Sequence, residues 1–106
     1  MRLPSLTLVI LAGLTAGAFA ANLTTITQKG RMFSSEEVTI KKGQTLTFLN
    51  DDSVPHNVMS ASTGNEFNLG SLPPGSSTDV AFKEAGEVQV ICAIHPRMKM
   101  TVKVVD

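Results

Sequence analysis

From Leu23 to the end of the chain, apolar residues recur at every second position, in short runs broken by glycine, proline or polar pairs. That is the period of a half-buried strand, and no stretch holds the 3.6-residue period of a helix for long. Leu23 to Gln28 reads as a first strand, closed by a turn at Lys29-Gly30. Val38 and Ile40 flank Thr39, and Lys41-Lys42-Gly43-Gln44 turns the chain into Thr45-Leu46-Thr47-Phe48-Leu49, where Leu46 and Phe48 share the inner face. Asn50-Asp51-Asp52-Ser53 is a polar loop, and His56 to Met59 is extended again. Phe67, Leu69 and Leu72 lead into Pro73-Pro74-Gly75; Val80 and Phe82 precede the turn Lys83-Glu84-Ala85-Gly86. Val88, Val90 and Cys92 then share one parity, as do Met100, Val102 and Val104. Seven or eight short strands with regular turn signals predict an all-β sandwich or barrel.

The first twenty residues read differently. Arg2 precedes an apolar stretch from Leu6 to Ala18, and Ala18-Phe19-Ala20 is a small-x-small cleavage pattern. This is the form of a secretory signal peptide, too short in its apolar part to span a membrane. The expected organisation is therefore a leader over residues 1–20 and one domain over residues 21–106, periplasmic or secreted, with no membrane attachment after cleavage. Without Arg2, eight basic residues face nine acidic ones. A charge so close to neutral argues against nucleic acid or an anionic membrane as partner.

A domain this small needs a staple, and its single cysteine, Cys92, rules out an internal disulfide. In an oxidising compartment a lone thiol is a liability unless something occupies it. Cys92 opens Cys92-Ala93-Ile94-His95-Pro96-Arg97-Met98, which sets a thiolate, an imidazole and a thioether at three-residue intervals. The only other histidine is His56, in Ser53-Val54-Pro55-His56-Asn57-Val58. A turn after Cys92 lets Cys92, His95 and Met98 converge on one ion, with His56 arriving from another hairpin. Two imidazoles, a thiolate and a weak thioether form the donor set of an electron-transfer copper site. One copper per chain is expected, cycling between Cu(I) and Cu(II). Asn57, directly after the first histidine, is placed to bond across to the ligand loop near Ala93, and a nearby N–H would tune the thiolate.

Pro55-His56-Asn57-Val58, followed by Cys92-x-x-His95-Pro96-x-Met98, resembles the cupredoxins, and within them the amicyanin and plastocyanin group. The likeness extends to Val38-Thr39-Ile40-x-x-Gly43-x-Thr45-Leu46-Thr47-Phe48-x-Asn50. It implies a Greek-key β-sandwich with one type 1 copper near one end, and equatorial ligation by His56, Cys92 and His95. It also implies a monomeric carrier of single electrons, not an enzyme, meeting a redox donor and acceptor such as a cytochrome or a dehydrogenase near His95. An apolar surface of Val54, Pro55, Ile94, Pro96 and Leu72 to Pro74 is expected around that histidine. The chain departs from the pattern at Val90, where an aromatic is common, and it has no Tyr or Trp. It is also short of the N-terminal segment usual in amicyanins, so their amine-dehydrogenase partner is not carried over. Met100 competes with Met98 for the axial position, but its parity with Val102 and Val104 assigns it to the core and favours Met98.

Other readings compete. A periplasmic chaperone or scavenger would hold Cu(I) through Cys92, Met98 and Met100. A Cys-His hydrolase is disfavoured, because Cys92 and His95 share one loop and no third orienting group accompanies them. Structural zinc sites use four strong Cys or His donors, and only three are present. Glu36-Glu37, Asp51-Asp52 and Lys41-Lys42 read as solvated loop charges, and Met32 and Met59 as core or edge packing.

Overall fold

The computed structural model describes residues 23–106. The expected leader over residues 1–20 lies outside the described residues. Nine strands follow in order: β1 (Leu23–Lys29), β2 (Met32–Phe33), β3 (Glu37–Lys41), β4 (Thr45–Asn50), β5 (His56–Ser60), β6 (Phe67–Leu72), β7 (Ser77–Ala81), β8 (Gly86–Ile91) and β9 (Lys99–Val105). They form a four-stranded sheet, β2-β1-β4-β7, and a five-stranded sheet, β3-β9-β8-β5-β6. The chain changes sheet repeatedly, so β1 and β4 meet in parallel, as do β3 and β9, while every other pairing is antiparallel. This is the expected all-β Greek-key sandwich.

The alternation in the sequence sets which side chains face inward. In β4, Leu46, Phe48 and Asn50 are buried while the residues between them are half-buried. In β9 the buried set is Met100, Val102 and Val104. Val88 and Val90 point inward from β8, and Cys92 continues their parity just beyond its end, fully buried. The largest buried side chains, Phe48, Phe82, Ile26 and Leu46, fill the space between the sheets. Each contributes about 1.5–3 kcal/mol of burial.

The strand beyond the seven or eight expected is β2, only two residues long. Gly30 and Arg31 both have positive φ, 63° and 57°, and Lys29 pairs directly with Met32. That is a two-residue hairpin turn of the I′ kind, whose twist matches the flanking strands. It folds Phe33 back onto the core, with its ring 6.3 Å from that of Phe48, and leaves Met32 exposed on the edge. Two residues are too few for an alternation to register in the sequence.

Two local features position one end of the sandwich. The β8–β9 hairpin is in register from Gly86↔Val104 to Ile91↔Lys99, so residues 92–98 form its loop. The Cys92 N–H donates to the Met98 carbonyl at 3.1 Å, and the Met98 N–H to the His95 carbonyl at 2.8 Å. The second bond closes a β-turn with Pro96 at its second position, where the fixed φ of proline is favoured. The other feature is a register shift between β5 and β6, between Asn57 and Met59, opposite Gly70 at φ 73°. A bulge here bends β5 beside His56 and opens space for the Asn57 carboxamide.

Candidate metal centre

His56 begins β5 and is fully buried. Cys92 follows β8 and is likewise buried, and His95 lies half-buried at the head of the loop turn. Their donor atoms lie within 4.8 Å of one another, the one group of three or more such residues found among the described residues. His56 Nδ1 and His95 Nδ1 are 3.1 Å apart, and Cys92 Sγ is 3.9 Å from each. A point equidistant from all three lies about 2.1 Å from each, by the geometry of that triangle. Metal–imidazole bonds run at about 2.0–2.1 Å and metal–thiolate bonds at about 2.3 Å. The residues therefore fit a single transition-metal ion.

Hydrogen bonds from outside the triangle orient His56 and reach the Cys92 sulfur. His56 donates its Nε2–H to Asp52 Oδ2 at 2.9 Å. That bond leaves the Nδ1 lone pair turned to the site. The same carboxylate oxygen accepts the Arg31 N–H at 2.9 Å, so Asp52 joins the β1–β2 turn to the buried histidine. The His56 hydrogen bond, with help from the Arg31 and Ser53 N–H groups, holds the Asp52 carboxyl well below the usual carboxylate range. Asn50 is fully buried and fixes the loop. Its amide donates to the Val54 and Leu72 carbonyls, and its oxygen accepts the Asp52 N–H.

Asp52 is thus not the solvated loop charge its sequence context implied. Its side chain is 15% exposed, whereas Asp51 is 59% exposed and pairs loosely with Lys29 at 3.8 Å. Asn50 also belongs to the interior and not to an open polar loop. The available sequence signal was an aspartate four residues before the ligand histidine, which alternation does not flag.

Asn57 bridges the two halves of the site as its position implied. Its Oδ1 accepts the Ala93 N–H at 3.0 Å. Its Nδ2 donates to Asn68 Oδ1 at 2.9 Å and to the Gly70 carbonyl at 2.8 Å across the bulge. Its own backbone N–H donates to Cys92 Sγ at 3.2 Å, in a buried setting. Replacing Asn57 by Leu strands the Ala93 N–H and the Gly70 carbonyl. We expect a loss of about 2 kcal/mol, at the lower end of about 1–3 kcal/mol per orphaned group because both bonds are only part-buried. The same change loosens the loop around the sulfur, so the copper spectrum and potential should shift together. Denaturant unfolding and voltammetry check the two effects separately; a stability loss with spectrum and potential unmoved would make Asn57 purely structural.

The two methionines separate. Met98 is buried in the ligand loop and lines a recess with His95, Pro96, Arg97 and Arg31. Met100 lies opposite Val90 in the β8–β9 ladder, inside the core with Val102 and Val104. Beside His95 the surface includes Ile94, which is 50% exposed, and Pro96, while Pro55, Pro73 and Pro74 are exposed next to His56 and its strand partner Leu72. Leu72 does not join it. Paired with His56 at the end of β6, it is buried in the core, and Val54 is half-buried.

A two-sheet sandwich with two imidazoles and a thiolate gathered at one end defines a small mononuclear copper protein. Residues 20–105 match the family of copper binding proteins typified by plastocyanin and azurin, and the chain belongs to that family. Among solved structures it is similar to a purple cupredoxin from Nitrosopumilus maritimus, at 29% identity and TM-score 0.68, covering 76% of this chain and 98% of that one. It is also similar to part of the copper-containing nitrite reductase of Thermus scotoductus SA-01, at 26% identity and TM-score 0.72, covering 78% of this chain but 22% of the reductase. A Cu(I) form of an amicyanin variant shares the fold, with TM-score 0.72 at 22% identity over 77% of this chain and 81% of that one. No curated protein sequence matches. Copper is the cofactor that family and donor set share.

Proposed function

We propose that the protein is a small periplasmic or secreted electron carrier whose copper is held by His56, Cys92 and His95, with Met98 as the axial donor. The observation that carries this reading is the triangle of two imidazole nitrogens and one buried sulfur, with His56 bonded to Asp52, Cys92 receiving the Asn57 N–H, and His95 set at the head of the loop turn. Bound there, copper supplies a one-electron couple between its cuprous and cupric forms. The chain's part is to keep its donors still. Asp52 fixes the His56 ring, the Asn57 N–H meets the Cys92 sulfur, and the Asn57 carboxamide ties β5 to the ligand loop. Donors that do not move between oxidation states keep rearrangement small, which favours rapid transfer.

His95 is the one imidazole of the pair that reaches the surface, so electrons are taken to enter and leave there. Its exposed neighbours Ile94 and Pro96 suit brief docking of a redox donor and acceptor, with fast release preferred over affinity. No reacting substrate is called for, and among the described residues no helix is long and apolar enough to cross a membrane. The family match begins at residue 20, beside the expected cleavage point, in keeping with a leader and one domain over residues 21–106.

The second reading, a chaperone or scavenger for Cu(I), is favoured by the buried soft donors but not by the fixed imidazole pair. An optical redox titration separates the two. A carrier gives an intensely coloured cupric form that bleaches and recovers reversibly as a one-electron couple. A chaperone binds Cu(I) tightly and forms no stable coloured cupric state, and that outcome would overturn the proposal.

A further inference from the structure

Three of the six lysines are ion-paired among the described residues, and of the cations left without a carboxylate, three gather on one side of the molecule, beside His95. Lys29, Lys42 and Lys103 each face a carboxylate, at 3.8, 4.0 and 3.3 Å. Arg31, Arg97 and Lys99 take part in no ion pair among the described residues. Yet they are brought together from chain positions far apart. Arg31 and Arg97 line the recess of about 340 Å³ that also contains His95, Pro96 and Met98. Both continue into an adjoining groove of about 560 Å³, where Lys99 joins them and Glu36 is the one carboxylate. A nearly neutral molecule therefore carries a local surplus of positive charge at one flank of half-buried His95.

Arg31 holds its place at a backbone cost. Its φ of 57° is the only positive value outside glycine among the described residues, in a turn position that Gly or Asn would occupy more readily. Its N–H is anchored on the carboxylate that also holds His56, so the guanidinium is carried on a turn tied to the metal centre. An unfavourable backbone at a residue whose guanidinium makes no hydrogen bond or ion pair among the described residues points to a use for that side chain outside the molecule. Guanidinium groups suit carboxylates, which they can meet through two parallel hydrogen bonds.

We infer that Arg31, Arg97 and Lys99 form a docking arc for an acidic redox protein, which sets carboxylates in the groove while its own redox centre faces His95. This rests on the carrier reading and names the partner's chemistry. Charge at the rim of such a contact acts mainly on encounter, and salt weakens it.

The test uses copper-loaded protein with two haem proteins as probes, one acidic and one basic c-type cytochrome. Binding is read by titration calorimetry and electron exchange by stopped flow, at about 0.01 M and about 1 M ionic strength, where the screening lengths are about 30 and 3 Å. Arg31→Asn removes one charge while easing the backbone, and Arg97→Gln removes the second. The acidic cytochrome should bind more tightly and exchange faster at low salt. The double variant should lose about tenfold or more of that advantage, and the difference should vanish at high salt. Arg31→Asn should raise the melting temperature, so its weaker docking is not a folding defect. Equal preference for the basic cytochrome, binding unmoved by the variants, or self-association through this face in ultracentrifugation would each overturn the inference. A colourless cupric protein would instead sink the carrier reading, and the calorimetric comparison would still be readable.

Discussion

Cys92→Ser is expected to abolish the visible colour of the cupric protein and to weaken copper binding by more than about 100-fold, beyond what losing an outer partner alone costs. The sulfur is fully buried, lies 3.9 Å from each imidazole nitrogen and receives the Asn57 N–H. It is the soft, anionic member of the donor set. A serine hydroxyl is hard and stays protonated near neutrality, so it can replace neither the charge nor the orbital overlap that give thiolate–copper centres their absorption. Optical spectra and competition with a chelator of known affinity check both parts. A variant that kept its colour would place the metal elsewhere. Because the donors join the start of β5 to the β8–β9 loop, copper should also raise the melting temperature of the native protein and leave the serine variant nearly unaffected.

The second large effect separates the two methionines. Met98→Gln should move the reduction potential by more than about 59 mV, a tenfold change in a one-electron equilibrium, because an amide oxygen would replace the thioether proposed as the axial donor. The native fold should persist, since Met98 sits in a loop anchored by its own backbone bonds to Cys92 and His95. Met100→Gln should do the reverse. It places an amide among Val90, Val102 and Val104, where nothing is positioned to pair with it. A cost of about 2–5 kcal/mol follows from lost packing and an unsatisfied polar group, with the potential little changed. Voltammetry and denaturant unfolding on both variants distinguish the roles. A potential shift confined to Met100→Gln would reverse the assignment.

What the sequence made legible was what repeats or what is chemically rare. Alternation located the strands because every second side chain faces one core, so β4, β8 and β9 stand where Leu46, Phe48, Val88, Val90 and Met100 to Val104 placed them. The single cysteine and the two histidines were legible because so few other residues can do their chemistry. Asn57 was legible through its position beside His56. Asp52 was not. Its role depends on the loop that Asn50 fixes, which turns the Asp52 carboxylate onto the His56 ring and the Arg31 N–H, a loop conformation that residue type does not encode. Arg31 was hidden for a related reason. It lies more than sixty positions from Arg97, and only the tight β1–β2 turn and its bond to Asp52 bring the two to one groove. The shortest strand, β2, fell below the length at which a two-residue period can be seen, and Leu72 moved from surface to core because it pairs with His56.

The most direct measurement is a pair of crystal structures of the copper-loaded protein, oxidised and reduced, with the metal located by its anomalous scattering. One copper per chain is expected in both, seated between His56 Nδ1, Cys92 Sγ and His95 Nδ1 beneath Met98, with those side chains superimposing. Copper bound away from this triangle, or a histidine that leaves the metal when the electron does, would contradict that expectation.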